Sequence, residues 1–339
     1  MTKSYSRNLR KQFLSGLALS ALLVGGAGHA NAAGFFVQEL SSSGAGASYA
    51  GQAATHNDAS IIFHNPAGMA FLDDAQVNGA FHGLFTHTDP VDNGTNIGGT
   101  LIGSTGLSSF TDDGGNPGGF KAIPNLYGAM PIGFDDRLWA GIGITTPFGL
   151  GVDYDDNFFG AFTAQKVELR TIDATPTLAF KVNDKFSVGG SLIVQYGDLN
   201  FQAFTPTSAS SSAFARATGD DVAYGFKIGT TIKPVEDLTL GLNYRSRTNL
   251  DFEGDFQGGL VPGGGEVDAA GTLNLPDIAN FAVSYDVNDK WTVLGGIDWY
   301  GWNNTDIAVI QNSAQDLTVE FLYENTLNFN LGVEHKYDE

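Results

Sequence analysis

The feature that most constrains this chain is an alternation of apolar residues with small or polar ones along many stretches. In 186–196 the even positions carry Phe, Val, Gly, Leu, Val and Tyr, whereas the odd positions carry Ser, Gly, Ser, Ile and Gln. Successive side chains of a β-strand point to opposite faces, so each such strand has one apolar and one polar face. The pattern predicts antiparallel β-structure in which the even-numbered residues of 186–196 face apolar surroundings.

Ten segments follow this pattern, and several are far longer than the ~5–6 residues of a typical soluble strand. They are 76–88, 122–134, 137–148, 165–182, 185–204, 221–234, 237–256, 266–286, 290–311 and 317–337. Short turns rich in Asn and Asp alternate with long links at 89–121, 149–164 and 205–220. Short turns at one rim and long loops at the other are typical of an outer-membrane β-barrel. A soluble β-sandwich also alternates and remains an alternative at this point.

Charge and the absence of cysteine exclude several functions. The 339 residues include 17 Lys and Arg against 37 Asp and Glu, a net charge of −20. Binding to nucleic acid requires a basic surface, so we expect no nucleic-acid partner. Without Cys, a disulfide scaffold, a Cys-based metal site and a Cys nucleophile are excluded. The sequence has neither a nucleotide-binding loop nor a nucleophile elbow, so we expect a protein that is not an enzyme and needs no cofactor.

Two groups of polar residues were weighed as metal sites. His56 and His64 lie near Asp58 but without the spacing of metal ligands, so hydrogen-bonding histidines are expected. The acidic run 153–157 could bind Ca²⁺ or be a solvated outer loop. We predict no metal site.

Residues 1–32 have the features of a cleaved secretory signal peptide. Four basic residues precede the apolar stretch 13–28, and Ala30-Asn31-Ala32 supplies the small residues that signal peptidase requires. The apolar stretch is shorter than the ~20 residues that a membrane-spanning helix needs, which disfavours a membrane anchor. We predict cleavage before Ala33.

Residues 33–75 differ in character, because they lack sustained alternation and are rich in small residues. They also include Ile61, Ile62, Phe63 and Met69, which would not stay solvated. A plug inside the barrel explains both features, since polar wall residues can satisfy irregular backbone in a lumen. We therefore predict a signal peptide at 1–32, a hatch at 33–75 and a transmembrane β-barrel at 76–339.

A series of short motifs runs in order through 33–339. They are Ala33-Gly34-Phe35, Ser42-Ser43-Gly44, Tyr49-Ala50-Gly51, Asn65-Pro66-Ala67-Gly68, Pro176-Thr177-Leu178, Tyr244-Arg245-Ser246 and Leu275-Pro276. In this order they resemble the FadL/TodX family of outer-membrane transporters of long-chain fatty acids and other hydrophobic compounds. The resemblance implies an all-β fold, an antiparallel transmembrane barrel of fourteen strands closed around an N-terminal hatch.

The strand count differs from that of the family, because about ten strands are visible here. The chain ends with Lys336-Tyr337-Asp338-Glu339, which resembles the start of another turn. A barrel left open would expose unpaired strand edges to lipid. We therefore expect the sequence to lack about four C-terminal strands, with a genuine ten-stranded barrel as the alternative.

The resemblance also implies how a ligand passes. In the family, the start of the hatch reaches into the binding pocket, and movement of the hatch opens a route through the wall. This places Phe35 and Phe36 in the pocket, with Gly34 allowing the backbone to bend. It makes Asn65-Pro66-Ala67 the gating element, facing an inward kink of a wall strand. From the residues alone, Asn-Pro is an ordinary turn.

Three basic side chains, Lys227, Arg245 and Arg247, are predicted by strand parity to face the lumen. A cation there could bind the carboxylate of a fatty acid, or the two arginines could pair with luminal acids such as Asp251 or Asp255. Near 200–204 and 317–325, where the family's fatty-acid transporters place cations, this chain has amides and acids. Uncharged hydrocarbons or aromatics therefore stay open as substrates.

These observations predict a transporter in the outer membrane of a Gram-negative bacterium that takes up hydrophobic small molecules by hatch-gated diffusion. Its expected partners are a hydrophobic ligand and a bilayer containing lipopolysaccharide, and we expect a monomer. The alternatives are a barrel without transport function, such as an adhesin or structural protein, and a diffusive porin.

Overall fold

The computed structural model describes residues 34–92, 96–97, 100–101, 112–208, 211–258, 265–305, 308–312, 316–319 and 323–337. The predicted signal peptide and its cleavage site lie outside the described residues. No helix in this part of the chain is long and apolar enough to cross a membrane.

The described residues form seventeen strands. In chain order they are β1 (Gln76–Thr86), β2 (Asn96–Ile97), β3 (Thr100–Leu101), β4 (Gly119–Gly133), β5 (Leu138–Thr145), β6 (Gly149–Asp153), β7 (Lys166–Asn183), β8 (Phe186–Ser208), β9 (Ser211–Val235), β10 (Leu238–Arg245), β11 (Thr248–Gly258), β12 (Glu266–Leu275), β13 (Ile278–Asn288), β14 (Trp291–Tyr300), β15 (Ala308–Asn312), β16 (Asp316–Val319) and β17 (Thr326–His335). Fifteen of them form one sheet, while β2 and β3 pair with each other.

The sheet is an antiparallel meander in which strands that follow each other in sequence are neighbours in space. Its order is β1-β4-β5-β7-β8-β9-β10-β13-β14-β17. Strand β6 pairs with β7 beyond the end of β5, and β11 pairs with β9 and β12 beyond the ends of β10 and β13. The pairings of the described residues run from β1 to β17 without a ladder between these two strands. Below, this sheet is called the wall.

The two faces of the wall match the alternation in the sequence. In β8, Val188 is 40% exposed and Leu192 is 51% exposed, whereas Ser187 and Gln195 are fully buried. The predicted orientation of the even-numbered residues of 186–196 is therefore confirmed. Large apolar side chains are exposed along the outer faces of other strands as well, among them Phe81, Leu126, Phe226 and Phe329. An apolar outer face around a polar inner face is what a bilayer requires of a barrel.

Two predicted links contain strand. Strand β6 lies within 149–164, and β8 and β9 extend through most of 205–220 as one long hairpin. This hairpin was missed because its sequence is rich in Ser, Ala and Thr and shows no alternation of large apolar residues. Its strands are extended here by backbone pairing, which leaves no such pattern in the sequence.

Four predicted strands are interrupted. The segment 237–256 breaks between β10 and β11, 266–286 between β12 and β13, 290–311 between β14 and β15, and 317–337 between β16 and β17. The first two breaks are adjacent in the sheet. Pro276 at the second break lacks an amide hydrogen for a ladder. The side chain of Asp277 bridges the first two breaks, because its Oδ1 accepts from the Tyr244 hydroxyl at 2.6 Å and from the Arg247 amide at 3.0 Å.

Residues 34–75, which belong to the segment predicted to be a hatch and are called the hatch below, contain no strand and pack against the inner face of the wall. The helices of the hatch are α1 (Ser42–Ala45), α2 (Ile61–His64) and a 3₁₀ helix (Pro66–Phe71). Hatch and wall share one apolar core, whose members include Leu40, Ile62, Phe63, Met69, Tyr127 and Trp139. Burial of these side chains, at about 25 cal/mol per Å² of apolar surface, favours the hatch inside the sheet.

Candidate ligand-binding site

The hatch begins with an aromatic side chain buried among other aromatic rings. Phe35 is 6% exposed, and its ring centroid lies 5.0 Å from that of Trp302 and 6.2 Å from that of Phe148. The ring of Tyr323 follows at 6.4 Å. Trp302 opens a short 3₁₀ helix (Trp302–Asn304) after β14. Such ring contacts are favourable but do not depend on specific donors and acceptors, so an apolar guest can replace them.

Phe36 lies on the other side of Phe148. Their ring centroids are 5.6 Å apart, and Phe36 also contacts Tyr300 at 5.2 Å. Phe36 lines a cavity of about 50 Å³ between the hatch and strands β10, β13, β14 and β17. Polar residues of the wall, including Asn243, Arg245 and Asp298, line the rest of this cavity.

The start of the hatch binds where a wall strand is interrupted. Between β5 and β6, Pro147 lacks an amide hydrogen and cannot continue a ladder. The hatch pairs with the free backbone groups here, since the Val37 amide donates to the Pro147 carbonyl at 2.8 Å and the Gly149 amide donates to the Phe35 carbonyl at 3.1 Å. We call Gly34–Val37 the N-terminal segment.

Gly34 fits this place for two physical reasons. Its φ is +57°, in the left-handed region that favours glycine. A Cβ at this position would lie 2.8 Å from the Trp302 ring, so a side chain would displace the indole. The backbone conformation suits the bend that the resemblance implies for Gly34, and its gating role stays a prediction.

Arg245 faces the inside of the wall, as predicted, and is 2% exposed. Its Nη1 donates to Asp173 Oδ2 at 2.7 Å, and Gln195 Nε2 donates to Asp173 Oδ1 at 2.6 Å. Gln195 Oε1 in turn accepts from the Thr248 hydroxyl at 2.6 Å. The guanidinium lies 5.6 Å from the centre of the Phe148 ring. The site thus places a buried charge beside the aromatic rings that surround Phe35 and Phe36.

Lys227 also faces inward and is 1% exposed. Its Nζ donates to the carbonyls of Ile62 at 3.0 Å and Phe63 at 3.3 Å, and it lies 4.8 Å from the centre of the Phe63 ring. Both carbonyls belong to helix α2 of the hatch. Lys227 therefore attaches the hatch to the wall.

Arg247 corrects the sequence prediction. Its side chain is 48% exposed and pairs with Asp277 at 2.9 Å. Strand parity fails here because β10 ends at Arg245 and the chain is irregular before β11 begins. Both arginines have carboxylate partners other than the suggested Asp251 and Asp255.

The predicted gating element Asn65-Pro66-Ala67 is the most strongly hydrogen-bonded part of the hatch. The fully buried amide nitrogen of Asn65 donates to three acceptors, Ala53 O at 2.8 Å, Thr230 O at 3.1 Å and Thr231 Oγ1 at 3.1 Å. Asn65 Oδ1 caps the 3₁₀ helix by accepting from the Ala67 amide at 3.0 Å, with Pro66 at its first position. The hydroxyl of Ser187 donates to the Ala67 carbonyl at 2.8 Å.

Wall glycines make room for this part of the hatch. Gly189 and Gly229 are partners across β8 and β9, and a Cβ at Gly189 would lie 2.6 Å from the Ala67 nitrogen. A Cβ at Gly229 would likewise collide with Asn65. The element therefore contacts regularly paired strands, whereas the N-terminal segment occupies the strand break, which differs from the predicted contact with an inward kink. We call Ser41–Phe71 the hatch body.

Several site residues were not predicted from the sequence. Asp173 could have been found, because it lies on the polar face of β7 with Thr171 and Thr175. Phe148 could have been found only from a weaker indication, namely that Pro147 before it interrupts an alternating strand. Nothing in the sequence distinguishes Gly189 and Gly229, because Gly is common on the polar faces of many strands here.

The histidines of the hatch are uncharged at neutral pH. Burial, helped by the nearby charge of Lys227, lowers the pKa of His64 to about 3. Burial, helped by Lys233, lowers the pKa of His56 to about 4. Among the residues that the structure describes, no group of three or more acidic or His side chains is placed to hold a metal ion.

Comparison with known proteins adds to this geometry. Residues 23–339 match the family model described as outer membrane protein transport protein (OMPP1/FadL/TodX). Outer membrane protein P1 of Haemophilus influenzae is 26% identical, with 97% of this chain and 79% of that protein covered. The long-chain fatty acid transport protein of Escherichia coli K12 is 24% identical, with 96% and 79% covered.

Solved structures share the fold. A Pseudomonas aeruginosa FadL homologue superimposes with a TM-score of 0.78 at 24% identity, covering 91% of this chain and 79% of that one. The toluene transporter TbuX of Ralstonia pickettii gives a TM-score of 0.62 at 17% identity, covering 86% and 82%. The predicted barrel class, outer-membrane location and family are confirmed by these matches. The chain belongs to the OMPP1/FadL/TodX family of outer membrane transport proteins, which carry hydrophobic compounds.

Proposed function

We propose that this protein binds a hydrophobic small molecule inside the wall and passes it on when the N-terminal segment of the hatch moves. The observation that carries this proposal is the burial of Phe35, a hatch side chain, among the rings of Phe148 and Trp302. The hatch itself fills an apolar site. A ligand that enters the site competes with Phe35 for the same contacts.

The size of the cavity supports displacement. About 50 Å³ is far below the ~300–1,000 Å³ of a typical ligand pocket. A long-chain or aromatic compound fits here only if Phe36, which lines the cavity, moves away, and the N-terminal segment carries Phe35 with it. Each buried CH₂ of the ligand contributes about 0.8 kcal/mol, so a chain of ordinary length can outweigh the contacts of one phenylalanine.

The wall lacks a continuous ladder next to the N-terminal segment. Strand β4 pairs with β5 from Leu126 onward and β6 pairs with β7, while the described backbone contact between β6 and the residues before β4 is a single hydrogen bond, from the Asp153 amide to the Pro117 carbonyl at 3.0 Å. We call this weakly paired place between β4 and β6 the gap. Close to this gap, the Asn125 side chain donates to the carbonyl of Glu39, just beyond the N-terminal segment, at 2.9 Å. Movement of the N-terminal segment would uncover the gap. We infer that this is where a bound ligand leaves the lumen.

The names of two relatives support two chemical classes of substrate. Two are a long-chain fatty acid transport protein and a toluene transporter. Both substrates are hydrophobic, and they differ in whether they carry a charged headgroup.

The test is saturable uptake by cells that make this protein and by matched cells that lack it. Labelled dodecanoic acid and toluene serve as hydrophobic substrates, and a small sugar serves as the hydrophilic control. We expect faster, saturable uptake of at least one hydrophobic substrate and no change for the sugar. Non-saturable sugar uptake would favour the porin, and no change for any substrate would favour the adhesin or structural barrel.

A further inference from the structure

We propose that the hydroxyl of Thr171 is a positioning group for the aromatic site, because it holds Phe148 turned into the lumen when the N-terminal segment leaves. This inference rests on the proposed function, since it concerns the same site. It goes further by assigning to one residue of the wall the task of keeping one half of the site in place while the other half moves.

The wall strand that is interrupted between β5 and β6 has one residue more than its neighbour β7. Before the break Thr145 pairs with Asp173, and after it Gly149 pairs with Arg170. The three residues 146–148 therefore face only two residues of β7. An extra residue of this kind is the feature of a β-bulge, which bends the strand and changes the direction of a side chain.

This extra residue turns Phe148 inward. In β5 the buried side chains stand at odd positions such as Thr145, whereas in β6 the even-numbered Leu150 pairs with Leu169, which is buried. Phe148 is even-numbered, is 1% exposed and contacts the ring of Phe35. The break therefore serves to place one aromatic ring of the wall in the site.

Three hydrogen bonds join the backbone of Phe148 to Thr171 on β7. The Thr171 hydroxyl donates to the Phe148 carbonyl at 2.9 Å and accepts from the Phe148 amide at 3.1 Å. The Thr171 amide donates to the same carbonyl at 3.2 Å. A hydroxyl can donate and accept at once, so this side chain supplies partners that a regular ladder would supply. Thr171 is 1% exposed, and solvent therefore cannot replace it.

The hatch holds the other side of the break. The Pro147 carbonyl accepts from the Val37 amide at 2.8 Å. The Gly149 amide donates to the Phe35 carbonyl at 3.1 Å. Both bonds are lost when the N-terminal segment moves, whereas the bonds that join Phe148 to β7 lie on the opposite side and stay. A ligand that replaces the N-terminal segment then meets a ring that is still in place.

Thr175 offers a matched control on the same strand and the same face. It is fully buried, and its hydroxyl donates to the Gly143 carbonyl at 3.2 Å. Gly143 and Thr175 are partners in the regular ladder between β5 and β7. Loss of the Thr175 hydroxyl therefore removes a buried hydrogen bond of the same kind without touching the break.

The experiment compares Thr171→Val, Thr171→Ser and Thr175→Val with the unchanged chain. Valine has nearly the shape of threonine but no hydroxyl, and serine keeps the hydroxyl. Saturable uptake of dodecanoic acid and of toluene gives the half-saturating concentration and the maximal rate. Hydrogen exchange of the Phe148 amide is measured on the full chain in nanodiscs, with and without each compound, and exchange in 61–71 is the control for folding.

We expect Thr171→Val to raise the half-saturating concentration about three- to tenfold and to change the maximal rate less than about twofold, because the ring of Phe148 is no longer held. Exchange of the Phe148 amide should speed up about tenfold or more, and most strongly with ligand bound. Thr171→Ser should restore both values to within about twofold, and Thr175→Val should leave both within about twofold of the unchanged protein.

A normal half-saturating concentration in Thr171→Val, or an equal rise in Thr175→Val, would overturn the inference and leave the proposed function intact. The unchanged protein supplies a test that needs no variant to fold. Its Phe148 amide should stay protected when ligand binds, and loss of that protection would overturn the inference as well. If the unchanged protein takes up neither compound saturably, the proposed function fails and the inference fails with it.

Discussion

The two parts of the hatch are held in different ways. The hatch body is fixed by directional bonds to several strands, with Asn65, Lys227 and Ser187 as the main groups. The N-terminal segment is held by two backbone hydrogen bonds at a strand break and by contacts between aromatic rings. Breaking buried hydrogen bonds is energetically unfavourable, because their donors and acceptors then lack partners. Contacts between aromatic rings, by contrast, can be replaced by contacts with an apolar ligand.

From this difference we propose which part of the hatch acts as a gate. The sequence resemblance assigned gating to Asn65-Pro66-Ala67, but these residues are the best-anchored in the hatch. The N-terminal segment combines a glycine bend, a replaceable aromatic side chain and a gap in the wall beside it. The central claim is therefore that the N-terminal segment moves while the hatch body stays in place.

The largest expected effect comes from Asn65→Ala in the hatch body. It removes the two amide hydrogens that the Ala53 carbonyl, the Thr230 carbonyl and the Thr231 hydroxyl share. At ~1–3 kcal/mol for each lost hydrogen bond, the hatch body should be destabilised by several kcal/mol. Hydrogen exchange of the amides in 61–71 should speed up strongly. Asn249→Ala, at an exposed position on β11, is the control and should change nothing. Unchanged protection of 61–71 would mean that Asn65 does not anchor the hatch.

A smaller effect is expected from Gly189→Ala, which tests the fit between hatch and wall. The new methyl group would lie 2.6 Å from both the Ala67 nitrogen and the Pro66 carbonyl carbon, which are backbone atoms that cannot rotate away. Overpacking of this kind costs about 1–3 kcal/mol. The adjacent Gly190→Ala is the matched control, since its methyl group would have no neighbour nearer than 3.5 Å. The readout is again exchange in 61–71, and equal behaviour of the two variants would contradict the close fit.

Phe35→Ala should leave the hatch body in place and change the apparent affinity for the ligand. It removes the side chain that fills the aromatic site, so a hydrophobic ligand no longer has to displace it. We expect the half-saturating concentration for uptake to change about three- to tenfold, with normal protection of 61–71. Affinity and rate that both match the unchanged protein would show that Phe35 does not compete with ligand.

The last effect concerns pH. His64 has a pKa of about 3 in the folded hatch, below its unfolded value of about 6.5. Below pH 6.5 the unfolded hatch binds a proton that the folded hatch does not, so stability should fall as pH drops from 6.5 towards 3. Exchange in 61–71 should therefore be faster at pH 5 than at pH 7, after correction for intrinsic exchange rates. His64→Gln should reduce this pH dependence, and His87→Gln, in an exposed loop, should not.

A feature of this protein could be predicted from the sequence where it leaves a local pattern of residues. Alternation over long strands predicted the wall and the orientation of β8, because one face meets lipid and the other the hatch. The prediction that Arg247 faces inward was wrong, because two residues that belong to no strand separate β10 from β11. The alternation of inward and outward side chains does not continue across such a break. The anchoring role of Asn65 and the pairing of Arg245 with Asp173 depend on contacts between segments far apart in sequence, and no local pattern encodes such contacts.

The most direct test of the central claim uses two disulfides in this chain, which has no cysteine of its own. Phe36→Cys with Phe148→Cys links two positions that form a non-hydrogen-bonded antiparallel pair, in which Cα atoms lie ~4.5 Å apart, and so locks the N-terminal segment. Ala47→Cys with Gly332→Cys locks the hatch body to β17, where the Cβ atoms would be 3.5 Å apart. The Ala50 Cβ would lie 2.9 Å from the new Cβ at 332 and has to shift, which it does in the oxidised and the reduced form alike. Uptake is measured for each variant oxidised and then reduced.

Each variant serves as its own control, because reduction leaves both substitutions in place and removes only the link. Oxidation of the N-terminal lock should lower uptake about tenfold relative to the reduced form, and oxidation of the body lock should change it less than about twofold. Uptake that survives the N-terminal lock but stops with the body lock would contradict the account.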